Sequence, residues 1–385
     1  MLEKALRGGR AYWTWLGILA AIILVGLVMY VRQAQTGLAI TGLSRDVTWG
    51  FYIAQFTFLV GVAASAVMVV LPYYLHNHKV FGKMTVLGEF LAIAAVIMCM
   101  LFIMVDLGNP RRAMNIMLHP SPRSVMFWDM IVCLGYLFLN VLISHVTLDS
   151  ERKGIAPPTW IKPFIIISIP WAISIHTVTA FLYSGLAARP FWLTAIMTPR
   201  FLATAFAAGP ALLLLICMLL RRKTRFDVGE EPIRKLAVVV TYAMIANLFF
   251  LALEVFTALY SDIPEHVAHF TYLFAGLGEA GQLAPFMWAS VILGLASLVL
   301  LINPRFRNDL RILPWALGAV FVSIWIDKGM GLVVAGFVPG VLGHVVEYSP
   351  TLPELLITLG VYGIGLFILT VLFKIALTLR GHVAR

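Results

Sequence analysis

GFYIAQFTFLVGVAASAVMVVLPYY, residues 50–74, holds no Asp, Glu, Lys or Arg. A helix needs about 20 apolar residues to cross the hydrocarbon of a bilayer, so this stretch is long enough to span. Nine further segments qualify on either side of it: 12–32, 84–106, 125–146, 163–187, 201–220, 236–260, 283–303, 312–338 and 355–379. Helices are the expected form, because each satisfies its own backbone in lipid. The alternating polar pattern of a barrel strand is absent. The expected fold is therefore an all-α integral membrane protein of ten transmembrane helices, one polytopic domain over 1–385.

Composition agrees. The chain is 61% hydrophobic and only 12% charged, whereas a soluble domain carries about 25% charged residues. The formal charge of +10 does not point to nucleic acid, because the basic residues form short clusters between apolar runs. With the N-terminus placed inside, the inner segments hold 20 Lys and Arg, among them Lys4, Arg7 and Arg10 before the first span and Arg380 and Arg385 after the last. The outer segments hold 7, and Lys328 lies within a span. That imbalance predicts both termini in the cytoplasm. Arg111, Arg112 and Arg123 run against the rule, which marks their loop for a local role such as holding an anion or a partner. The first apolar run exceeds a signal-peptide core and lacks a small-residue cleavage site, so it is read as a retained span.

Spans 2–5 resemble spans 6–9, which predicts a parallel repeat over 48–188 and 200–340 forming two four-helix bundles with flanking helices. Gly61 matches Gly209 and Asp106 matches Glu254, each pair 148 positions apart. The same alignment sets His176 against Asp327.

Ionisable groups cost at least ~2.5–3.5 kcal/mol each at a helix centre in lipid, and they normally line an interior or a pathway. Six stand out: Glu89, Asp106, His176, Glu254, Asp327 and Lys328. Each has a plain reading. Asp106 sits hydrated at the outer interface, Glu89 snorkels to the inner face, His176 is simply hydrogen-bonded in the interior, and the others are structural, neutralising charges on neighbouring helices. The functional reading is a proton relay, since carboxylates and imidazole take and release protons readily. Haem b is disfavoured because only His176 lies deep, His145 sits at an inner edge, and His76 and His382 are among those near span ends. Cys99, Cys133 and Cys217 show no cluster-binding or haem-attachment spacing. No haem, iron–sulfur cluster or other metal is therefore expected in this chain.

At these residues the sequence resembles the NrfD/PsrC family, the quinone-interacting membrane subunits of respiratory oxidoreductases. The resemblance rests on TWGFYIAQFTFLVG (48–61), VDLGNPRRAMNIMLHPSPRSVMFWD (105–129), SIHTVTAFLYSGLAARPFWLTAIMTPRFLATAFAAGPA (174–211) and LALEVFTALYS (251–261). The ten-span length is most similar to the DsrP and HmeB subunits of sulfate-reducer complexes and to alternative complex III. Asn109 departs from the arginine more usual in the DLGRP-like stretch. The resemblance implies residence in a prokaryotic cytoplasmic (inner) membrane and a site for menaquinone or another quinone near the outer face. It implies electron exchange with an extracytoplasmic ferredoxin-like iron–sulfur subunit, alongside further haem- and cluster-bearing subunits. By position, the quinone pocket is expected at the outer ends of spans 2–5, with Tyr52, Gln55, Asp106, Trp128, Asp129 and His176 around the head group. Asp106 and His176 are the expected catalytic pair. Glu254, Asp327 and Lys328 form a second, separate polar site for protons. Two other classes remain in play. One is a proton or ion transporter that couples through Glu254, Asp327 and Lys328. The other is an anchor without a quinone site of its own.

Overall fold

A computed structural model describes Glu3 and residues 8–74 and 78–381. Lys4, Arg7, His76, His382 and Arg385 lie outside the described residues. Ten described helices are long and apolar enough to cross a membrane. In order, spans 1 to 10 are Arg10–Thr36, Phe51–Tyr74, Lys79–Asp106, Val125–Lys153, Thr159–Ser184, Met197–Lys223, Glu230–Ser261, Ala284–Ile302, Leu313–Ala335 and Leu352–Leu379. Several outrun their expected ends because polar turns continue the helix past the apolar run. Span 4 continues through Asp149, which pairs with Arg152 and Lys153 one turn on, and closes on Gly154 in the left-handed conformation. Span 7 begins two residues before Pro232 with Glu230 and Glu231 in its first turn, the favoured end for acids against the helix dipole.

The packing order follows the hydrophobic pattern. Every residue of Phe51–Ala63 is buried, as expected of a helix that is apolar all round. Span 1 faces lipid over most of its surface. Span 2 packs on spans 3 and 5, span 4 on spans 3 and 5, and the four close a ring. Spans 6, 7, 8 and 9 close a second ring in the same way. Span 2 joins the rings by packing on spans 6 and 9, while spans 1 and 10 pair and span 10 leans on span 3.

Small residues set the closest crossings, as is usual where helices meet in lipid. A Cβ on Gly209 would stand 2.9 Å from the Ser65 nitrogen and 3.2 Å from the Gly61 oxygen, so spans 2 and 6 cross at the two glycines that suggested the repeat. A Cβ on Gly26 would stand 2.6 Å from the Gly360 Cα, where spans 1 and 10 cross. Span 9 is irregular: Trp325–Gly331 winds as a π-helix and carries both Asp327 and Lys328. Such wider turns are rare and frequent at functional sites. The loops opposite the termini define one face, called the outer face below; it also holds a short helix, Pro264–Phe274.

Candidate functional site

Asp129 lies in the first turns of span 4 and is buried. Its Oδ1 accepts from the Thr179 hydroxyl of span 5 at 2.7 Å. Thr179 stands one helical turn from His176, on the same face of span 5. The His176 ring is wholly buried, and neither nitrogen has a hydrogen-bond partner among the described residues. A buried imidazole without partners is rare and costly, so this one is open to a ligand or a water.

On its other side Asp129 borders a cleft of about 470 Å³ between span 3, span 4 and the loop that joins them. Met100, Met104, Met114, Met117, Met126 and Met130 wall it, with Cys133 and Leu134 below and Arg112 from the loop. Met104, Met114, Met117 and Met126 are exposed, so the cleft opens sideways. Asp129 and Arg112 are its only charged groups among the described residues. Apolar walls with a few convergent polar groups suit a planar amphiphile, and thioethers pack well on aromatic rings.

The other expected pocket residues do not gather there. The Tyr52 hydroxyl donates to Gln33 Oε1 at 2.8 Å, and Gln33 in turn donates to the Val105 carbonyl at 2.6 Å. Tyr52 thus ties spans 1, 2 and 3 together. Gln55 turns toward the second ring: its Oε1 accepts from Trp325 Nε1 at 2.8 Å and from the Tyr362 hydroxyl at 2.7 Å, while its Nε2 is buried without a partner. Trp128 is exposed and donates to the Pro122 carbonyl at 2.8 Å, which folds the outer loop rather than lining the cleft. Asp106 ends span 3 half-buried, with Oδ1 buried and without a hydrogen-bond partner among the described residues. Glu89 is buried in span 3 with Oε2 unpaired, so it does not snorkel.

The second group is a buried ion cluster. Arg200 of span 6 donates through Nη1 to Glu254 of span 7 and through Nη2 to both Asp327 oxygens of span 9, at 2.7 and 2.8 Å. All three side chains are less than 10% exposed. Asp327 and its neighbour Lys328 point in different directions, as adjacent helical residues do, and the partner of Asp327 on another helix is Arg200. Arg200 therefore moves from the outer-loop charge count into the membrane, which reduces the outer count from 7 to 6. Lys328 instead lies 4.2 Å from the Phe201 ring centroid and 3.4 Å from the Phe201 carbonyl, as a cation on an aromatic face. Its Nζ would be 3.3 Å from a Cβ on Gly61. Two cations and two carboxylates leave the group neutral overall.

Sequence reasoning passed over Arg200, Gln33, Tyr348 and Glu354. Two buried carboxylates with no cation of their own were the signal for Arg200. Glu354 closes a T-x-x-E capping box with Thr351 at the head of span 10. It is wholly buried and accepts from Gly42 N at 2.7 Å and from the Tyr348 hydroxyl at 2.7 Å. Burial and the Glu354 carboxylate hold the Tyr348 phenol well above its ordinary value, so it remains a donor.

Comparisons with known proteins agree with this architecture. The family model described as polysulphide reductase, NrfD, matches residues 39–339. A putative dimethyl sulfoxide reductase membrane subunit of Halobacterium salinarum is 27% identical, covering 92% of this chain and 88% of that protein. An Hdr-like menaquinol oxidoreductase integral membrane subunit of Archaeoglobus fulgidus is 24% identical, covering 94% and 93%. A selenate reductase subunit of Mesobacillus selenatarsenatis is 23% identical, covering 92% and 91%. The chain belongs to the NrfD family and is a multi-pass membrane protein.

Proposed function

We propose that this NrfD-family chain is the quinone- or quinol-reactive membrane subunit of a respiratory oxidoreductase in a prokaryotic cytoplasmic membrane. The observation that carries the reading is Asp129, a buried carboxylate in the wall of a methionine-lined cleft that opens sideways. A quinone ring enters between the thioethers, and its isoprenoid tail leaves through the lateral opening. Menaquinone is the favoured substrate, in keeping with the name of the Archaeoglobus relative. Interconverting quinol and quinone moves two electrons and two protons. Asp129 exchanges the first proton, held in place by Thr179, and His176 lies on the same face of span 5 to take the next. Asp106 serves the outer end of the route. The electrons pass to or from an extracytoplasmic ferredoxin-like iron–sulfur subunit, with further haem- and cluster-bearing subunits beyond it, and this chain holds no redox cofactor of its own.

Asp129→Asn tests this. Asparagine keeps the Thr179 contact but cannot hold a proton. The loss of a positioned acid–base group costs about 10²–10⁴ in rate. Quinol-linked turnover of the assembled complex should fall by that order, while Trp128→Phe leaves it near the parent value. Full turnover in an assembled Asp129→Asn complex refutes the site.

A second reading concerns Glu254, Asp327 and Lys328 as a proton relay coupled to this reaction. The observation favouring it is Lys328, an ammonium buried against an aromatic face with no hydrogen bond to a carboxylate. A group held this way is poised to give up or regain its proton.

A further inference from the structure

We propose that the cavity beside span 7 at the outer face is a hydrated port through which Glu254 exchanges protons with the outer aqueous phase. This rests on the relay reading of Glu254. The cavity measures about 240 Å³ and lies between span 7, the 185–196 loop and the Pro264–Phe274 helix. One water needs only ~10–15 Å³ of such space.

Its polar groups lie along a path. Glu254, Thr257 and Ser261 stand three and four residues apart on span 7, so they share a face that climbs from the carboxylate to the helix end. Thr194 faces them from the loop, and His266 stands on the outer helix. One Glu254 oxygen accepts from Arg200, while the other makes no hydrogen bond among the described residues. Ser261 donates to the Thr257 and Ala258 carbonyls, which leaves its oxygen free to accept. Phe191, Leu193, Ile196 and Phe270 line the rest. A lipid chain in this space would leave the free Glu254 carboxylate oxygen without a hydrogen-bond donor, which is unfavourable for a charged group. Water satisfies it. A metal cation has no place, because Arg200 and Lys328 already balance the two carboxylates.

The proton balance closes. A proton arriving on Glu254 leaves the four-residue cluster with one net positive charge. Its release from the free carboxylate oxygen to water, then along the hydroxyls toward His266, restores neutrality. No electron moves and no bond other than O–H or N–H breaks.

Sealed, right-side-out vesicles holding the whole complex provide the test. A membrane-impermeant cationic thiol reagent added outside should label Thr257→Cys; the three native cysteines are buried. Ser261→Cys, one turn nearer the mouth, reports the same thing if Thr257→Cys does not fold. In the unmodified chain, dicyclohexylcarbodiimide, which adds to protonated carboxyls in apolar sites, should modify Glu254. Peptide mass spectrometry should show the adduct rising as the outer pH falls, with no response to the inner pH. Absence of outside labelling at both cysteines overturns the port. So does a Glu254 adduct that follows the inner pH, or no adduct at any pH. The relay stands or falls separately: a labelled port with normal proton release in Glu254→Gln removes the relay, and an unlabelled port with abolished release removes the port alone.

Discussion

Arg200→Met isolates the buried cluster. Arg200 is the only cation hydrogen-bonded to Glu254 and Asp327 among the described residues. Its removal leaves two carboxylates in the low-dielectric interior with only Lys328 nearby, and the group changes from neutral to one net negative charge. Breaking a buried pair costs about 3–5 kcal/mol, chiefly through the uncompensated charge left behind. Two stranded carboxylates place the expected loss at the upper end, about 5 kcal/mol, unless one of them takes up a proton. The double variant Arg200→Met with Asp327→Asn restores neutrality and should recover most of the loss. Lys328→Met in place of Asp327→Asn should not, because it removes the last cation. Reversible unfolding in mixed micelles, followed by tryptophan fluorescence, measures all three. An Arg200→Met protein within about 1 kcal/mol of the parent, the range of exposed pairs, refutes the premise that this is a buried, mutually dependent group.

Two further outcomes follow from the packing. Gly26→Leu should cost about 1–3 kcal/mol, the usual penalty of overpacking, because its Cβ would meet the Gly360 backbone. Gly17→Leu on the same helix has open space around its Cβ and should change little; equal losses in thermal unfolding would refute the crossing. His269, on the outer Pro264–Phe274 helix, has Nδ1 2.6 Å from the Ala335 carbonyl and 3.0 Å from that of Val338, so that nitrogen carries the hydrogen. Burial pushes its pKa below the ordinary value of about 6.5. The unfolded chain then binds the extra proton first, so His269 contributes full stability above about pH 6.5 and loses it as pH falls. His269→Asn should flatten the acid side of the stability profile, and an unaltered slope between pH 7 and 5 counts against this.

The spans were legible because lipid leaves a long apolar run little choice but a helix, and all ten appear. The deep charges were legible too, since each stood out within such a run. Their partners were not. A sequence gives the face of a helix on which a side chain lies, but not the helix that meets that face. Tyr52 and Gln55 are neighbours on span 2, yet one bonds to span 1 and the other to spans 9 and 10. Trp128 and Asp129 are adjacent, yet one is exposed at the loop and the other is buried in the cleft wall. Arg200 was hidden by its place four residues into span 6, where the apolar run had not yet begun.

The expected pocket in spans 2–5 and the expected charge site in spans 6–9 approach each other at Lys328. It belongs to span 9, but the π-helical turn and the absence of a side chain at Gly61 let its ammonium lie against span 2. There its Nζ lies 3.4 Å from the Phe201 carbonyl of span 6, so one ammonium stands where spans 2, 6 and 9 meet. In an interior of low effective dielectric such charges are poorly screened. Under the proposed relay, a proton gained or lost in the Arg200 cluster changes the field in the first ring, and a change there acts back on the cluster, because linkage of this kind is reciprocal. The two rings of helices thus meet at one buried cation, Lys328, which has no hydrogen bond to a carboxylate among the described residues.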